Sequence, residues 1–347
     1  MLVFLGKTLR AVTVLGAYLY LLGVTTFTVF VRVYAADSWF GALALYAPRH
    51  MFLLPIPCIA LGLVLVKRKD ALWTQAISAG VVLFPLMGLN LPGPPVYALG
   101  TPTLRVLSFN VDSGFAGVPR IVAAIERIDA DIVAIQEAKG ATAELESALG
   151  KRYRYVEERP YSLIASRFPI VEATEHEKIT IGDWPRSPRF QRHVLLLPSG
   201  RLVFYNVHPI SPRGAFNIHR FRYAVHAFRT GQAVNRESVA ALEYNVELRR
   251  RQVESFARSA KAETGPVIIA GDFNLPDLSQ VFHSNLSAFQ DGFRVGGAGF
   301  GYTFPARFPW MRLDRVLASY DLRIVDFDVD CFELSDHYCV VAEVRLP

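Results

Sequence analysis

The sequence predicts an α/β fold: a four-layer α/β/β/α sandwich of two mixed sheets, preceded by an N-terminal bundle of about three transmembrane helices. Uncharged apolar runs fill most of the first hundred residues. From residue 103 to residue 347, short apolar strands alternate with helical stretches, over a length sufficient for one large core. Tight turns between neighbouring strands, as at residues 197–201, indicate hairpins and therefore sheets that are not wholly parallel.

Residues 1–92 are the predicted membrane anchor. Charge is missing from 21 consecutive positions after Arg10, from 16 positions after His50, and from every position of 71–104. A helix of about 20 apolar residues crosses the hydrocarbon core of a bilayer. The predicted spans are therefore about 11–31, 43–66 and 71–91. A cleaved signal peptide is the competing interpretation of the first run, but no small-residue cleavage site follows closely and two further apolar runs come after it.

The orientation of the anchor follows from its cations. Lys7, Arg10 and the cluster at 67–69 lie on one side of the membrane if three helices span it. The positive-inside rule places that side in the cytoplasm. We therefore expect a multi-pass protein of the cell membrane, with residues 93–102 as a proline- and glycine-rich linker and the domain at 103–347 on the extracytoplasmic side.

Charge in the soluble part is nearly balanced. The chain has 37 Lys and Arg against 31 Asp and Glu, and without the first hundred residues the balance is 30 against 29. The basic composition therefore belongs mostly to the anchor and is weak evidence for a nucleic-acid partner. Residues 186–222, however, contain seven arginines and no acidic residue, a positive field suited to an anionic substrate. Arg189, Arg192 and Arg213 are the predicted substrate-binding residues; the alternative is a solvated arginine-rich face.

Three cysteines are too few for a disulfide framework. Cys58 lies in an apolar run, and Cys331 and Cys339 flank a Ser-Asp-His segment. We expect two separately buried thiols at positions 331 and 339, with a disulfide between them as the alternative in an oxidising compartment.

Short apolar runs bounded by turn residues predict the strands, and apolar residues at helical spacing predict the helices. The predicted strands are 104–109, 132–135, 162–165, 193–197, 202–207, 267–270, 313–318, 322–329 and 338–344. The predicted helices of this part are 119–128 and 141–149. The long segment 209–254 interleaves cations with aromatic residues before a helical run. It is either a substrate-facing lid or membrane-proximal surface, or a surface helix whose aromatic residues belong to the core.

Six of these strands end in groups that can bind a metal or move a proton. In residues 267–274, for example, four apolar strand residues lead directly into a carboxylate and an amide. The groups are Asn110 and Asp112, Gln136 and Glu137, His208, Asp272 and Asn274, Asp314, and Asp336 with His337. Each is common alone, since Gly-Asp-x-Asn is more often a turn and a lone histidine is usually structural. Their recurrence at the downstream ends of apolar strands predicts one polar cleft.

The polar groups follow one another along the chain in the order Asn, Gln-Glu, Asn-x-His, Gly-Asp-x-Asn, Asp and Ser-Asp-His, with Ser-Arg-Phe-Pro-Ile at 166–170. This ordered set resembles the endonuclease/exonuclease/phosphatase superfamily. That superfamily includes pancreatic-type deoxyribonucleases, abasic-site endonucleases, neutral sphingomyelinases and inositol polyphosphate 5-phosphatases. The resemblance covers about residues 103–347. It is specific for fold and chemistry and poorly specific for substrate.

The resemblance implies a divalent cation, Mg²⁺ with Mn²⁺ as the alternative. A phosphodiester repels nucleophiles, so a hard cation held by a carboxylate is needed to neutralise charge on the phosphoryl oxygens. Glu137, helped by Asn110, is the implied metal site. Asp336 either binds a second metal or supports the site, and Asp112 matches a supporting position.

The resemblance also implies the catalytic residues. Asp272 is similar to the residue that orients or deprotonates the attacking water, and Asn274 to the one that holds phosphate. His337 is expected to contact the scissile phosphate, with Asp314 fixing its imidazole. His208 matches a second histidine on the leaving-group side.

Three functions remain open on the sequence. The first is a membrane-anchored Mg²⁺-dependent phosphodiesterase or phosphatase that acts outside the cytoplasm on lipid headgroups. The second is a surface nuclease for DNA or RNA, although the near-neutral soluble domain argues against avid duplex binding. The third is a catalytically silent membrane adaptor. The expected partners are a phosphoester substrate, lipid or nucleic acid, and the bilayer; no protein partner is predicted.

Overall fold

The computed structural model describes residues 2–35, 39–91, 93, 103–174, 177–181, 184–213 and 236–346. The chain divides into two units, each treated separately below. One comprises Met1–Asn90 with Leu278–Gln280, and the other comprises Leu91–Asp277 with Val281–Pro347. The predicted linker, apart from residue 93, lies outside the described residues.

The N-terminal unit is helical. Its α-helices are α1 (Leu2–Val33), α2 (Trp39–Tyr46), α3 (Pro55–Leu65) and α4 (Trp73–Val81). Helix α1 contains the predicted first span, and its segment Phe4–Val33 is long and apolar enough to cross a membrane by itself. A signal sequence near the N-terminus also contains an apolar helix, so one helix of this kind is weak evidence for an anchor.

The second and third predicted spans are not single helices. Phe40–Tyr46 and Arg49–Leu65 meet at an angle of 78°. The break falls at Pro48, which lacks an N–H group and disfavours helical backbone in the residue before it. The third predicted span is the short α4 followed by a π-helical turn at Val82–Leu86. Among the described residues, the structure therefore supports one clear span, or two if the bent pair is one, where three are predicted.

The second unit contains two six-stranded sheets and a separate small hairpin. Sheet I has the strand order β13-β14-β1-β2-β4-β3, and sheet II has the order β11-β12-β10-β9-β8-β5. The strands are β1 (Thr103–Asn110), β2 (Ile132–Gln136), β3 (Tyr155–Arg159), β4 (Ser162–Ser166), β5 (Ile170–Thr174), β6 (Ile179–Ile181), β7 (Trp184–Arg186), β8 (Phe190–Leu197), β9 (Gly200–Val207), β10 (Val267–Asp272), β11 (Gln290–Asp291), β12 (Asp314–Ala318), β13 (Arg323–Asp330) and β14 (Cys339–Arg345). Strands β1 and β2 are parallel, as are β9 and β10, while their other neighbours are antiparallel. The prediction of two mixed sheets is confirmed.

The helices of this unit lie outside the sheets. They are α5 (Val118–Ile128), α6 (Thr142–Leu149), α7 (Arg236–Lys261), α8 (Gln280–Leu286) and α9 (Gly292–Gly296). Ile121 of α5 and Leu145 of α6 are buried in a core with residues of sheet I. On the other side, Phe256 of α7 packs edge-on against Phe190 and Phe273, next to sheet II.

A second core lies between the two sheets. It buries Val106 and Ile132 of sheet I together with Phe204 and Ile268 of sheet II. Burial of large apolar side chains on both faces of each sheet is the main stabilising contribution. With helices on the two outer faces, the layers follow the predicted order α/β/β/α.

A set of buried polar contacts crosses this apolar interface at Gln136 and Asn206. Gln136, at the end of β2, donates from Nε2 to Asn206 Oδ1 of β9 at 2.8 Å. Asn206 in turn donates from Nδ2 to the backbone oxygens of Ile135 and Leu163. Both side chains are buried, so these hydrogen bonds satisfy groups that would otherwise be costly to bury. These contacts tie sheet I to sheet II beside the strand ends that carry the predicted site.

The disulfide prediction is wrong in its preferred form. Cys331 and Cys339 are bonded to each other, with Cα atoms 5.3 Å apart. The physical reason is the strand pairing: β13 and β14 are antiparallel, and Asp330 lies opposite Cys339. Pairing of these strands brings the two ends of the intervening loop within disulfide range.

Much of the segment that could form a lid, residues 209–254, lies outside the described residues. Residues 214–235 are not among the described residues. The later part of the segment forms α7, which begins at Arg236. There Leu248 is buried, whereas Tyr244, the aromatic residue of the segment that lies within the described part, is exposed. Both interpretations of the segment therefore stay predictions.

Gly271 allows β10 to lie against β9. It pairs with Val207 in a parallel register, and a Cβ atom at position 271 would lie 1.9 Å from the Val207 backbone oxygen. We expect Gly271→Ala to lower the free energy of unfolding by about 1–3 kcal/mol, because the strand must shift to relieve the overlap. Urea unfolding of the full chain in detergent measures this. Gly265→Ala is the matched control, since nothing lies within 4 Å of its Cβ position; equal effects of the two substitutions would contradict the expectation.

Candidate active site

The ends of five strands bring the predicted polar residues into one cleft. Asn110 ends β1, Glu137 follows β2, His208 follows β9, Asp272 ends β10 and Asp314 begins β12. Adjacent strands deliver them: β1 and β2 in sheet I, and β9, β10 and β12 in sheet II. The predicted convergence is therefore present in the structure.

The acidic and histidine groups form two overlapping clusters. One contains Glu137, His208 and Asp272, and the other contains Asp272, Asp314 and His337. Within each cluster the candidate ligand atoms lie within 4.8 Å of one another. Asp272 belongs to both and is the centre of the site.

Asp272 is almost completely buried, with 1% of its surface exposed. Its Oδ1 accepts from the backbone N–H of Asn274 at 2.8 Å, and its Oδ2 accepts from Asn110 Nδ2 at 3.1 Å. The Nε2 atoms of His208 and His337 lie 3.6 and 3.8 Å from the same Oδ2. Burial raises the pKa of this carboxyl group, and the two histidines oppose that rise. A proton acceptor is thus held between two rings.

Asp314 and His337 form a buried pair. His337 Nδ1 lies 2.8 Å from Asp314 Oδ2. Burial alone would lower the pKa of His337, but the carboxylates of Asp314 and Asp272 outweigh it and raise the pKa to about 10. The ring is therefore protonated at neutral pH, with Nδ1 engaged by Asp314 and Nε2 directed towards Asp272.

Glu137 and His208 form the more exposed part of the site. His208 Nε2 lies 3.1 Å from Glu137 Oε1. Burial alone would raise the pKa of Glu137, but His208, with Asn110 and His337, lowers it to about 2. The alignment of the two atoms is not that of a hydrogen bond, and the buried Nε2 of His208 has no hydrogen-bond partner in the described part of the chain. A buried nitrogen of this kind is suited to contact a ligand.

Several site residues have left-handed backbone. The φ angles are 52° at Glu137, 50° at Asn274, 43° at Asp112 and 54° at Arg189. Such values are uncommon in residues other than glycine and cluster at functional sites. At Glu137 and Asn274 the chain turns directly after the strand, which places the side chain at the strand end.

Asp336 is paired with an arginine. Arg213 donates to Asp336 Oδ2 at 2.5 Å, and its guanidinium group lies 4.4 Å from the centre of the Phe304 ring. The Phe304 ring is 4.6 Å from that of His337. Burial, together with Asp336 and Glu137, raises the pKa of Asp112, which places that carboxyl group beside the same cluster.

The three predicted substrate arginines differ in position. Arg213 lies at the site, as described above. Arg189 has an exposed side chain, and its backbone oxygen accepts from the His208 N–H at 2.9 Å. Arg192 is engaged elsewhere, in ion pairs with Glu172 and with Glu263, the latter at 2.6 Å. The structure therefore brings Arg189 and Arg213, but not Arg192, to the margin of the cleft.

Two roles in the site could not be assigned from the sequence. Phe304 packs on His337, yet it lies outside every predicted strand and helix. Gln136 is noted in the sequence as a strand-end group, but its bond to Asn206 becomes apparent only when two sheets are stacked. An aromatic residue in a loop gives no periodic pattern, so the contact of Phe304 with His337 cannot be predicted from the sequence. The contact of Gln136 with Asn206 cannot be predicted before the stacking of the two sheets is known.

The donor set fits a divalent cation. Glu137 offers an ionised, partly exposed carboxylate, and Asp272 and His208 place a further carboxylate oxygen and a ring nitrogen within 4.8 Å. Carboxylate and amide oxygens are the ligands that small hard cations prefer. His208 adds a buried nitrogen without a hydrogen-bond partner among the residues described.

A family model matches most of the second unit. It is the Endonuclease/Exonuclease/phosphatase family, and it matches residues 107–337, about two thirds of the chain. That range includes every predicted site residue. No protein of curated function matches the sequence.

Solved structures with a similar fold extend the comparison. Truncated TDP2 of Caenorhabditis elegans has a TM-score of 0.51 at 16% identity, over 70% of this chain and 97% of that one. A protein described as endonuclease/exonuclease/phosphatase from Beutenbergia cavernae has a TM-score of 0.50 at 19% identity, over 70% and 72% of the two chains. SmcL has a TM-score of 0.50 at 14% identity, over 70% and 98%. At these identities the similarity concerns the fold alone.

Proposed function

The chain belongs to the Endonuclease/Exonuclease/phosphatase family and is thus a metal-dependent hydrolase of phosphoric ester bonds, and we propose that it is a membrane-anchored, Mg²⁺-dependent phosphodiesterase acting on lipid headgroups. One observation carries this proposal: two overlapping clusters of carboxylates and histidines meet at Asp272, with their ligand atoms within 4.8 Å. Such a cluster offers both cation ligands and proton-transfer groups. The remaining residues of the site have roles in the same proposed reaction.

Glu137 and Asn110 would hold the cation. Mg²⁺, with Mn²⁺ as the alternative, would supply neutralisation of negative charge on the phosphoryl oxygens. Asp272 orients the attacking water and accepts its proton. Because burial raises its pKa, Asp272 is a stronger base than an exposed aspartate. Asn274 is the proposed contact for the phosphate, and its backbone N–H fixes the Asp272 carboxylate.

The two histidines act on the phosphate. Asp314 engages His337 at Nδ1, so the Nε2–H of the charged ring is free to donate to a phosphoryl oxygen. His208, whose Nε2 lacks a hydrogen-bond partner in the described chain, is placed to contact the leaving-group side. Both groups stabilise charge that grows in the transition state.

Arg213 and Arg189 are the proposed contacts for the rest of the substrate anion. A guanidinium group binds phosphate oxygens through paired N–H donors. Asp336 holds Arg213 in place at 2.5 Å. We therefore assign Asp336 a supporting role in preference to a second metal site.

The proposed location is the membrane, with the catalytic unit on the extracytoplasmic side. The apolar segment Phe4–Val33 supports an anchor. The Cys331–Cys339 disulfide supports an oxidising compartment, because reducing conditions in the cytoplasm keep most protein thiols free. A reporter fused after residue 347 tests the side; activity confined to the cytoplasm would contradict it.

A nuclease is the second candidate, and the arginine-rich segment favours it. Its cations are partly neutralised, however. Arg192 pairs with two glutamates, Arg213 pairs with Asp336, and Arg201 lies 3.5 Å from Glu172. Duplex binding depends on cations free to neutralise phosphates. The silent adaptor is disfavoured, because a binding platform does not require the buried Asp314–His337 pair.

A substrate panel separates the two enzymes. The full chain in detergent is incubated with Mg²⁺ and either mixed vesicles of phosphatidylcholine, sphingomyelin and phosphoinositides, or plasmid DNA and RNA. We expect Mg²⁺-dependent release of a lipid headgroup product and little nicking of the plasmid. Faster cleavage of nucleic acid than of any lipid would replace the lipid proposal with the nuclease.

Glu137→Gln tests the metal site. We expect weaker Mg²⁺ binding and a loss of activity of about 10²-fold or more, because the charge that holds the cation is removed without a change in shape. Titration calorimetry with Mg²⁺ and the rate of ester hydrolysis measure the two effects. Glu144→Gln, an exposed change in α6, serves as the control. Unaltered Mg²⁺ affinity in Glu137→Gln would exclude Glu137 as the ligand.

A further inference from the structure

Thr303 lies beside the Asp314–His337 pair and is completely buried. Its side-chain oxygen Oγ1 accepts hydrogen bonds from two backbone N–H groups, those of Leu313 at 3.1 Å and Asp314 at 3.3 Å. The hydroxyl therefore holds the start of β12, the residue from which the Asp314 carboxylate projects.

The backbone of the same residue holds the other partner. Thr303 O accepts from the N–H of Tyr338 at 2.9 Å, and Tyr338 directly follows His337. Thr303 N in turn donates to Met311 O at 2.9 Å. One residue is thus bonded both to Asp314 and to the neighbour of His337.

The next residue completes the arrangement. Phe304 pairs with Met311 through two backbone hydrogen bonds of 3.0 Å, and its ring lies 4.6 Å from the imidazole of His337. The Thr303-Phe304 segment therefore restrains His337 from two directions, through the backbone after it and through the face of its ring. No other part of the proposed mechanism uses these contacts.

We propose that Thr303 is a positioning residue of the hydrolase, which sets the contact between His337 Nδ1 and Asp314 Oδ2. This inference rests on the proposed function for its catalytic consequence. An apolar side chain of the same shape would leave two buried N–H groups without an acceptor, and the start of β12 would move to satisfy them. Because a misplaced catalytic group lowers the rate more than it weakens substrate binding, the effect falls on kcat.

The activity test compares Thr303→Val with Thr303→Ser. Bis(p-nitrophenyl) phosphate with Mg²⁺ is the probe for the full chain in detergent. We expect Thr303→Val to lower kcat about 10- to 100-fold with KM nearly unchanged, and Thr303→Ser to restore most of it. Ser319→Ala is the matched control: Ser319 Oγ accepts from the Val267 N–H at 3.0 Å, at the opposite end of β12. That variant is expected to lose stability but not kcat.

The structural test does not depend on activity. In protein labelled with ¹⁵N-histidine, the proton on His337 Nδ1 is assigned by its loss in His337→Gln and followed by NMR. We expect this resonance to shift or exchange faster in Thr303→Val, and to resemble wild type in Thr303→Ser and Ser319→Ala. If Thr303→Val fails to fold, Thr303→Cys replaces it in both tests, because the cysteine places a weaker acceptor in the same position.

The outcomes are separable. An unchanged His337 resonance in Thr303→Val overturns the positioning role, whatever the rates. Equal loss of kcat in Thr303→Val and Ser319→Ala also overturns it, since general destabilisation then explains both. If the wild-type chain hydrolyses no phosphoester at all, the proposed function fails while the NMR comparison still decides what Thr303 positions.

Discussion

Asp272→Asn is expected to lower kcat by about 10²- to 10⁴-fold, the range for loss of a general base. Asparagine has nearly the same shape as aspartate, and the space is fully enclosed, so the substitution removes the proposed proton acceptor while the packing stays. The rate of hydrolysis of bis(p-nitrophenyl) phosphate in Mg²⁺ measures the effect.

The same substitution should change the stability of the fold little. Burial raises the pKa of Asp272, which means that the ionised form is costly in the folded state. A neutral amide removes that cost and can still bond the Asn274 N–H, but its NH2 group loses the bond that Asp272 Oδ2 accepts from Asn110. The gain and the loss offset each other. Loss of activity with unchanged urea unfolding is therefore the expected signature.

Asp321→Asn provides the control, because Asp321 is exposed near the end of β12. It should change neither rate nor stability. Retention of more than a tenth of the wild-type kcat in Asp272→Asn would remove Asp272 from the role of base and leave it as a structural carboxylate.

Arg312→Met is expected to lower the free energy of unfolding by about 3–5 kcal/mol, the range for breaking a buried ion pair. Arg312 is buried and lies 2.6 Å from carboxylate oxygens of both Asp277 and Asp291. Arg315 lies 2.9 Å from Asp277 and 3.3 Å from Asp291. Removal of Arg312 leaves two buried carboxylates with one remaining central cation.

The pKa values of these buried groups support the expected loss of stability. Burial alone would raise the pKa of Asp277 and of Asp291, but Arg312 and Arg315 together outweigh it and lower both. Burial and the charge of Arg312 lower the pKa of Arg315 to about 10. The four groups thus depend on one another for their charged forms.

Urea unfolding of the full chain in detergent measures the loss. Arg323→Met, an exposed change at the start of β13, is the control and should be nearly neutral. A loss below about 1 kcal/mol for Arg312→Met would mean that apolar packing by methionine replaces the ion pairs, as it does in some buried networks.

Much of the fold is predictable because its strands are buried on both faces. The run at 267–270 is apolar at every position, and β10 extends it only to Asp272. The half-exposed β5, Ile170–Thr174, has no such run and is not predicted. Sequence patterns report burial, so strands at the edges of sheets give the weakest signal.

The part of the site that is formed by residues at strand ends could be predicted from the sequence. Asp272, Asp314 and His337 follow from polar residues placed after or before apolar strands, and the structure brings them together. The ion pairing of Asp336 with Arg213 could not be read, because it joins segments 123 positions apart through loops. The broken second span had a readable cause in Pro48, which outweighs an apolar composition.

The hydrogen bond from Gln136 to Asn206 has a consequence for the evolution of specificity. It joins sheet I to sheet II at the base of the cleft. Gln136 lies one position before Glu137, and Asn206 lies two positions before His208. Neither sheet can slide to admit a different substrate without breaking a buried amide pair. New specificities in this scaffold should therefore arise in the surrounding loops, while the chemistry beneath them stays unchanged.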